Sequence, residues 1–119
     1  MYHKGYVYLI EDVVNGTYKI GRTKHNPNIR LKQLQTGNAN ELRLVCFYKT
    51  DWPCRMESLL HNRFEQCNVN YDIFNKKYKK SEWYYLNKDQ VNTFEDSCKE
   101  INNMINVMKD NVYFNKNLK

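Results

Sequence analysis

The chain has 119 residues, which fits one domain and allows roughly two-thirds of its unfolded surface to be buried. Hydrophobic residues make up 41% of the chain, which excludes a disordered protein, and no apolar run approaches the roughly 20 residues of a membrane span. The formal net charge of +6 favours a polyanionic partner, most commonly nucleic acid, although charge of this size also serves solubility alone.

The first two strands are predicted to form a hairpin. Residues 5–11 are aromatic and β-branched, which is typical of a strand, and residues 17–21 return after the strong turn signal Asn15-Gly16. The first run is short and is followed by Glu11-Asp12 without a small-residue cleavage site, so it is interpreted as a strand and not as a signal peptide. We therefore expect an intracellular protein without membrane contact.

A short helix is predicted directly after the hairpin. Asn26 is its predicted N-cap, Pro27 its first residue and Gly37 its terminator. The residues predicted for its apolar side are Ile29, Leu31 and Leu34.

The third predicted strand spans residues 42–49 and is apolar on both faces. One face is predicted to carry Leu42, Leu44 and Cys46, and the other Val45 and Phe47. Two apolar faces are typical of a strand inside a sheet, so we expect a central position for it.

A second helix is expected from Pro53 to about residue 66. Its predicted apolar stripe consists of Met56, Leu59, Leu60, Phe64 and Cys67.

A polar, basic loop over residues 68–81 then leads to a short closing strand over residues 82–86. The last helix is predicted from about Lys88 to Met108. Its apolar seam is predicted to consist of Val91, Phe94, Cys98, Ile101, Ile105 and Met108.

The predicted element order is β-β-α-β-α-β-α, which indicates an α/β domain of the α+β kind. We expect a small mixed or antiparallel sheet with an N-terminal hairpin, flanked by about three helices. The domain is predicted to span residues 1–108, and residues 109–119 are expected to form a flexible C-terminal tail.

The four cysteines show no metal-binding pattern. They are Cys46, Cys54, Cys67 and Cys98, and none belongs to a Cys-x-x-Cys pair or has a histidine at zinc-finger spacing. We expect them to be reduced and partly buried, since the protein is expected to be intracellular.

Tyr8 and Lys19 are predicted to share one face of the hairpin. Opposed residues of an antiparallel pair lie on the same face, so any hairpin turn of even length puts these two side chains together. A phenol beside an ammonium is a candidate proton-handling pair, because the positive charge favours the phenolate. The alternative is a packed aromatic ring beside a solvated lysine.

Arg30 and Glu57 are candidates for binding a phosphate and a metal ion. Arg30 lies in the helix after the hairpin, where its guanidinium can bind a phosphate in bidentate fashion. Glu57 and His61 lie four residues apart on one side of the second helix, where a carboxylate suits a hard cation such as Mg²⁺. The alternatives are an exposed arginine and an exposed helix pair.

The basic loop is a candidate nucleic-acid contact. It contains Lys76, Lys77, Lys79 and Lys80 around Tyr78, which could stack on a base or a sugar. The alternative is a solvated loop without a partner. Trp83, just after the loop, is expected to pack in the core.

Four separated motifs resemble the GIY-YIG nuclease superfamily. Val7-Tyr8 stands where that family has Ile-Tyr, and Lys19-Ile20-Gly21 stands where it has Tyr-Ile-Gly. Arg30 and Glu57 follow in the family's order, and Glu82-Trp83-Tyr84 is similar to the late strand of its phage and large-virus branch. The resemblance covers about residues 5–108 and implies a viral or phage protein inside a host cell.

The resemblance implies a metal-dependent endonuclease that hydrolyses phosphodiester bonds, with DNA as the expected nucleic acid and Mg²⁺ or Mn²⁺ as the ion. It implies that Tyr8 is the general base or proton relay, that Lys19 orients water or stabilises charge, and that Arg30 holds the scissile phosphate. Glu57 is implied as the sole protein ligand to one metal ion. The weaker candidates, as supporting groups for Tyr8, are His25 and His61. Further candidates for nucleic-acid contacts are Arg22, Lys24 and Lys32.

Two departures from the family pattern leave alternatives open. Tyr6 stands at the glycine position of the first motif, and Lys19 replaces the tyrosine of the second. The alternatives are a nucleic-acid-binding module of the same fold without turnover, or a regulatory or structural partner protein of a virus. For the nuclease we expect Tyr8, Lys19, Arg30 and Glu57 to line one concave pocket on one face of the sheet.

Overall fold

The computed structural model describes residues 4–109, in which four strands form one antiparallel sheet. The strands are β1 (Gly5–Asp12), β2 (Thr17–Thr23), β3 (Leu42–Thr50) and β4 (Trp83–Tyr84), and their order across the sheet is β3-β1-β2-β4. The helices are α1 (Pro27–Thr36), α2 (Pro53–Arg63), α3 (Lys88–Asn92) and α4 (Phe94–Met108), and a 3₁₀ turn (Glu65–Cys67) follows α2. The predicted α+β class is confirmed, while the predicted tail, beyond Lys109, lies outside the described residues.

Side chains of the hairpin alternate between two apolar layers. Val7, Leu9 and Ile20 pack in the larger layer with residues of α2 and α4. Tyr8 and Ile10 point to the other side and pack with Leu31 and Leu34 of α1. Ile10 pairs with Lys19, and Tyr8 and Ile10 are two residues apart on β1. Tyr8 and Lys19 therefore lie on the same face of the hairpin, as strand alternation predicts.

The predicted central position of β3 is wrong, because β3 is an edge strand beside β1. Both of its faces are apolar because α1 contacts it on one side and α4 on the other. A bulge also changes its face pattern. Leu9 lies opposite Cys46 and Ile10 opposite Leu44, so Val45 is an extra residue and Leu44 and Cys46 point to opposite faces.

The helices depart from the predicted pattern in three places. Ile29 of α1 is 52% exposed and Met108 of α4 is 43% exposed, so neither belongs to a buried seam. The predicted last helix is divided at Thr93, which has a φ of −102° and a ψ of 8° and whose hydroxyl donates to the Asp89 carbonyl oxygen at 2.8 Å, a bond that often bends a helix. The predicted closing strand is limited to Trp83 and Tyr84. No helix within residues 4–109 is long and apolar enough to cross a membrane.

The cysteines lie in three environments. Cys98 is buried in the core, Cys46 and Cys67 are half-buried, and Cys54 is exposed at the start of α2. Partial burial is therefore wrong for Cys54. Burial raises the pKa of both the Cys46 and Cys98 thiols to about 12, so these two side chains remain neutral and act as small apolar groups.

The β1–β2 turn is organised by the carboxylate of Asp12. Asp12 is 4% exposed and accepts hydrogen bonds from the backbone amides of Val14 and Asn15 and from the side-chain amides of Asn15 and Asn40. Burial by itself would raise the pKa of Asp12, but the hydrogen bonds outweigh it and lower this pKa. Asp12 thus joins the hairpin turn to the segment before β3.

We expect Asp12→Ala to lower the free energy of unfolding by about 1–3 kcal/mol at pH 7, because several part-buried hydrogen bonds to one carboxylate are lost together. A lowered folded-state pKa contributes stability above the unfolded value of about 3.9 and loses it as pH falls. Urea unfolding of wild type and variant should therefore converge in strongly acidic solution. Asp51→Ala is the matched control, since Asp51 is exposed and meets Lys4 only at 3.9 Å. Equal stability of wild type and Asp12→Ala would contradict this role.

Candidate active site

A cleft opens where β2 lacks a neighbouring strand. β4 pairs with β2 only at Tyr18 and Lys19, so residues 20–23 of β2 form an open edge within the described part of the chain. The cleft at this edge has a volume of about 660 Å³. Its lining residues are Tyr8, Lys19, Ile20, Gly21, Arg22, Thr23, Lys24, Arg30, Asp51, Trp52, Pro53, Cys54, Arg55, Glu57, His61 and Glu82.

The structure brings the four main candidates, Tyr8, Lys19, Arg30 and Glu57, to this one cleft. The expectation of one shared pocket agrees with this cleft, although the elements that supply Tyr8 and Glu57 pack on different layers of the sheet. Tyr8 lies in the layer that α1 covers, whereas α2, which carries Glu57, packs on the opposite layer. The two groups meet because the sheet ends between them at the open edge of β2.

Tyr8 lies across the backbone of Gly21. A Cβ atom at position 21 would be 2.5 Å from Tyr8 Cζ, so only glycine leaves room for this ring. Burial raises the pKa of Tyr8, a hydrogen bond and the positive charge of Arg30 oppose that rise, and the carboxylates of Glu57 and Glu82 add to it. The phenol is therefore protonated in the free protein at neutral pH.

Lys19 is a buried cation in the wall of the cleft. Lys19 is 6% exposed, and its Nζ atom lies 3.0 Å from Oε2 of Glu82. The hydrogen bond and charge of Lys19 lower the pKa of Glu82, partial burial opposes this, and Arg30 and His61 lower it further. Lys19 is thus not the solvated lysine of the alternative interpretation, because an ionised carboxylate compensates its charge. Tyr8, in contrast, is the packed aromatic ring that this alternative describes, since it is 1% exposed.

Glu82 was not predicted as a site residue. The sequence feature that pointed to Glu82 was its place in the Glu82-Trp83-Tyr84 motif. Trp83 pairs with Lys19 in the sheet, and this pairing brings the preceding residue, Glu82, close to Lys19. Spacing along the chain alone could not reveal this, since 63 positions separate residues 19 and 82.

Glu57 and His61 enter the cleft from successive turns of α2. Glu57 Oε1 lies 3.4 Å from Arg22 Nε, a long contact, and the Glu57 side chain is 24% exposed. A ring nitrogen of His61, Nε2, is 2.9 Å from the carbonyl oxygen of Ile20. A carbonyl oxygen only accepts, so Nε2 carries a proton and donates it. The His61 ring also stacks on Tyr84, with centroids 5.6 Å apart, which fixes α2 against the strand edge.

The remaining candidates divide into three groups. Arg22 and Lys24 line the cleft, whereas His25 and Lys32 are exposed and are not among its lining residues. The four loop lysines, Lys76, Lys77, Lys79 and Lys80, are exposed outside it. Tyr78 differs from the free stacking ring that was expected, because its ring packs edge-on against Tyr71 and its hydroxyl is buried. Trp83 packs beside Tyr8 and Ile10, as predicted.

The charge of the cleft favours an anion. Its basic side chains are Lys19, Arg22, Lys24, Arg30 and Arg55, against the acidic Asp51, Glu57 and Glu82. No cluster of three or more histidine, cysteine, aspartate or glutamate side chains in the described residues could hold a metal ion by itself. The accessible Glu57 carboxylate fits a different arrangement, in which one protein oxygen holds a hard cation whose other ligands are water and substrate oxygens.

We expect Gly21→Ala to lower the free energy of unfolding by about 1–3 kcal/mol, because the new methyl group overlaps the Tyr8 ring. Gly37→Ala is the matched control, since Gly37 has a φ of −95° and no atom lies within 4 Å of a Cβ there. Denaturant unfolding measures both variants. Equal effects of the two substitutions would show that Tyr8 does not lie across Gly21.

We expect Glu82→Gln to lower the thermal midpoint at pH 7, because Lys19 then stays buried without a counter-charge. A lowered folded-state pKa of Glu82 gives stability above the unfolded value of about 4.3 that disappears as pH falls. The midpoints of wild type and variant should therefore converge below that pH. Glu100→Gln, which removes a more exposed pairing with Arg63, is the control. A difference that is constant across pH would refute the electrostatic origin.

One family model, described as the T5orf172 domain, matches residues 5–105. The matched segment contains all four strands and every residue that lines the cleft. Neither the curated proteins nor the solved structures yield a match to this chain. Because the match covers most of the chain, the protein belongs to the T5orf172 domain family.

Proposed function

We propose that this domain is a metal-dependent endonuclease of the GIY-YIG type, which hydrolyses phosphodiester bonds in nucleic acid, with DNA as the first expectation. The observation that carries the proposal is the meeting of Tyr8, Lys19, Arg30 and Glu57 at one basic cleft. These groups come from two strands and two helices. Membership of the T5orf172 family supports the proposal, since that domain is often associated with GIY-YIG-like nucleases.

Arg30 is proposed to hold the scissile phosphate. Its Nη1 donates to Gln33 Oε1 at 3.3 Å, which orients the guanidinium from within α1. A guanidinium has further donors in a planar fork that matches two phosphate oxygens. Arg22 and Lys24, also in the cleft, would contact neighbouring phosphates of the same strand.

Glu57 is proposed to hold Mg²⁺ or Mn²⁺, whose charge, when the ion is bound, stabilises the oxygen that leaves phosphorus. The contact between Arg22 and Glu57 is long, at 3.4 Å, and Arg22 is half-exposed. A metal ion can therefore replace Arg22 beside the Glu57 carboxylate without leaving the guanidinium buried and unpaired. His61 is proposed as a positioning residue, because its bond to Ile20 holds the helix that carries Glu57.

Tyr8 is proposed to act as a proton relay. Water adds its oxygen to phosphorus while the P–O bond to one sugar breaks, which leaves a phosphate monoester and a free hydroxyl. Because the pKa of Tyr8 is raised, the phenol starts protonated. Its oxygen accepts the proton of the attacking water while its own proton passes to water in the cleft, and the leaving oxygen takes up one proton from solvent to become the free hydroxyl. Arg30 and Lys19 stabilise the negative charge that develops on the phosphate.

A second candidate is a nucleic-acid-binding module without turnover. It is favoured by the ion pairs inside the cleft, because Lys19 is already paired with Glu82 and Glu57 with Arg22. In such a module the cleft would bind a phosphate without activating water. The two candidates differ in one measurable property, which is strand cleavage that depends on a divalent ion.

We expect the protein to cut at least one of single-stranded, duplex or branched DNA with Mg²⁺ or Mn²⁺, and none in EDTA. Glu57→Gln should lower the cleavage rate by at least about 100-fold, since it removes the proposed metal ligand. The thermal midpoint of this variant should stay near that of wild type.

Glu100→Gln is the matched control, because Glu100 lies on α4 and not in the cleft. It should cleave at the wild-type rate. Cleavage that persists in EDTA or in Glu57→Gln would refute the metal-dependent proposal. Binding without cleavage on every substrate would favour the non-catalytic module.

A further inference from the structure

The basic loop, residues 68–81, is braced between its two arms. The Asn68 side chain donates to the Ser81 carbonyl at 2.7 Å and accepts from the Ser81 amide at 3.1 Å. Further out, the Asn70 side chain donates to the Lys79 carbonyl at 2.9 Å. The Tyr71 and Tyr78 rings then meet edge to face, with centroids 5.7 Å apart. These contacts define a structured stalk that carries a short tip.

The tip, residues 72–77, presents apolar side chains to solvent. The Asp72 carboxylate accepts from the Phe74 amide at 2.9 Å, and the Asn75 side chain accepts from the Lys77 amide at 3.0 Å, so side chains organise both turns. Ile73 is 70% exposed and Phe74 is 95% exposed. A phenylalanine so exposed adds nothing to the core, although its ring could contribute much to an interface.

Exposed lysines follow this ring closely in the chain. Lys76, Lys77 and Lys79 have no ion pair among the described residues, while Lys80 lies 3.9 Å from Glu65. The loop ends at Ser81, and the next residue, Glu82, lines the cleft. A flat apolar ring beside unpaired ammonium groups complements a polyanion that also exposes flat apolar faces. Nucleic acid with an unpaired base has that chemistry.

We propose that Phe74 stacks on an unpaired nucleobase, while Lys76 and Lys77 contact the phosphates of the same strand. This proposal rests on the nucleic-acid substrate of the proposed function, and it makes the tip of this loop a second binding point in addition to the cleft. Tyr78 then has a supporting role, since its contact with Tyr71 braces the stalk. The domain prefers substrates with an unpaired base over uninterrupted duplex.

The test measures affinity for a fluorescent single strand and for a blunt duplex, in EDTA so that the strands remain intact. Phe74→Ala should weaken single-strand binding on the order of tenfold, and duplex binding less. Phe74→Trp keeps a stacking face and should bind like wild type. Val107→Ala is the matched control, because Val107 is an 82% exposed apolar residue on α4 and should not affect affinity.

Salt dependence separates stacking from charge. Phe74→Ala should leave the slope of log affinity against log salt unchanged, since the phenyl ring carries no charge and neutralises no phosphate. The double variant Lys76→Ala/Lys77→Ala should reduce that slope on single strands by roughly 0.7 for each phosphate that the removed lysines neutralise. A reduced slope in Phe74→Ala would contradict a stacking role.

Wild-type single-strand affinity in Phe74→Ala would overturn the inference. If Glu57→Gln still abolished cleavage, the proposed function would stand without it. Failure of wild type to bind any DNA would refute the proposed function as well. Binding to anionic phosphatidylserine vesicles that Phe74→Ala abolishes, with unchanged DNA affinity, would assign the tip to a membrane surface and also overturn the inference.

Discussion

The open edge of β2 is the constraint on which the candidate site depends. β4 is so short that it leaves residues 20–23 without an outer neighbour in the described sheet. A carbonyl at such an edge needs a donor from elsewhere, and His61 supplies it at Ile20. That bond holds α2 against the strand edge, and Glu57, one turn earlier on this helix, is thereby brought to the cleft.

Electrostatic compensation shapes the same site. Lys19 is buried and tolerates burial because Glu82 provides an ionised partner at 3.0 Å. Tyr8 experiences the opposite balance, because burial and two carboxylates favour its neutral form more than Arg30 favours its charged form. The free protein thus presents one lysine paired with a carboxylate and one neutral phenol to an incoming anion. That difference supports separate roles for the two side chains in the proposed hydrolysis.

The hairpin, the caps of α1 and the basic loop follow from local sequence and were predicted from it. Asn15-Gly16 sets an antiparallel turn, and Asn26 caps α1 with its side-chain oxygen 2.9 Å from the Asn28 amide. The shared face of Tyr8 and Lys19 follows from strand alternation alone. These features involve neighbouring residues, so tertiary context has little influence on them.

Sequence by itself determined the order of the elements, the motif residues and the alternation that pairs Tyr8 with Lys19. Only the tertiary structure decided that β3 is an edge strand, because helices on both faces make an edge position look central. Only the tertiary structure decided that Glu82 meets Lys19 and that Phe74, not Tyr78, presents an exposed ring. The physical reason is that side-chain periodicity reports burial, whereas strand neighbours and ion pairs depend on contacts between distant parts of the chain.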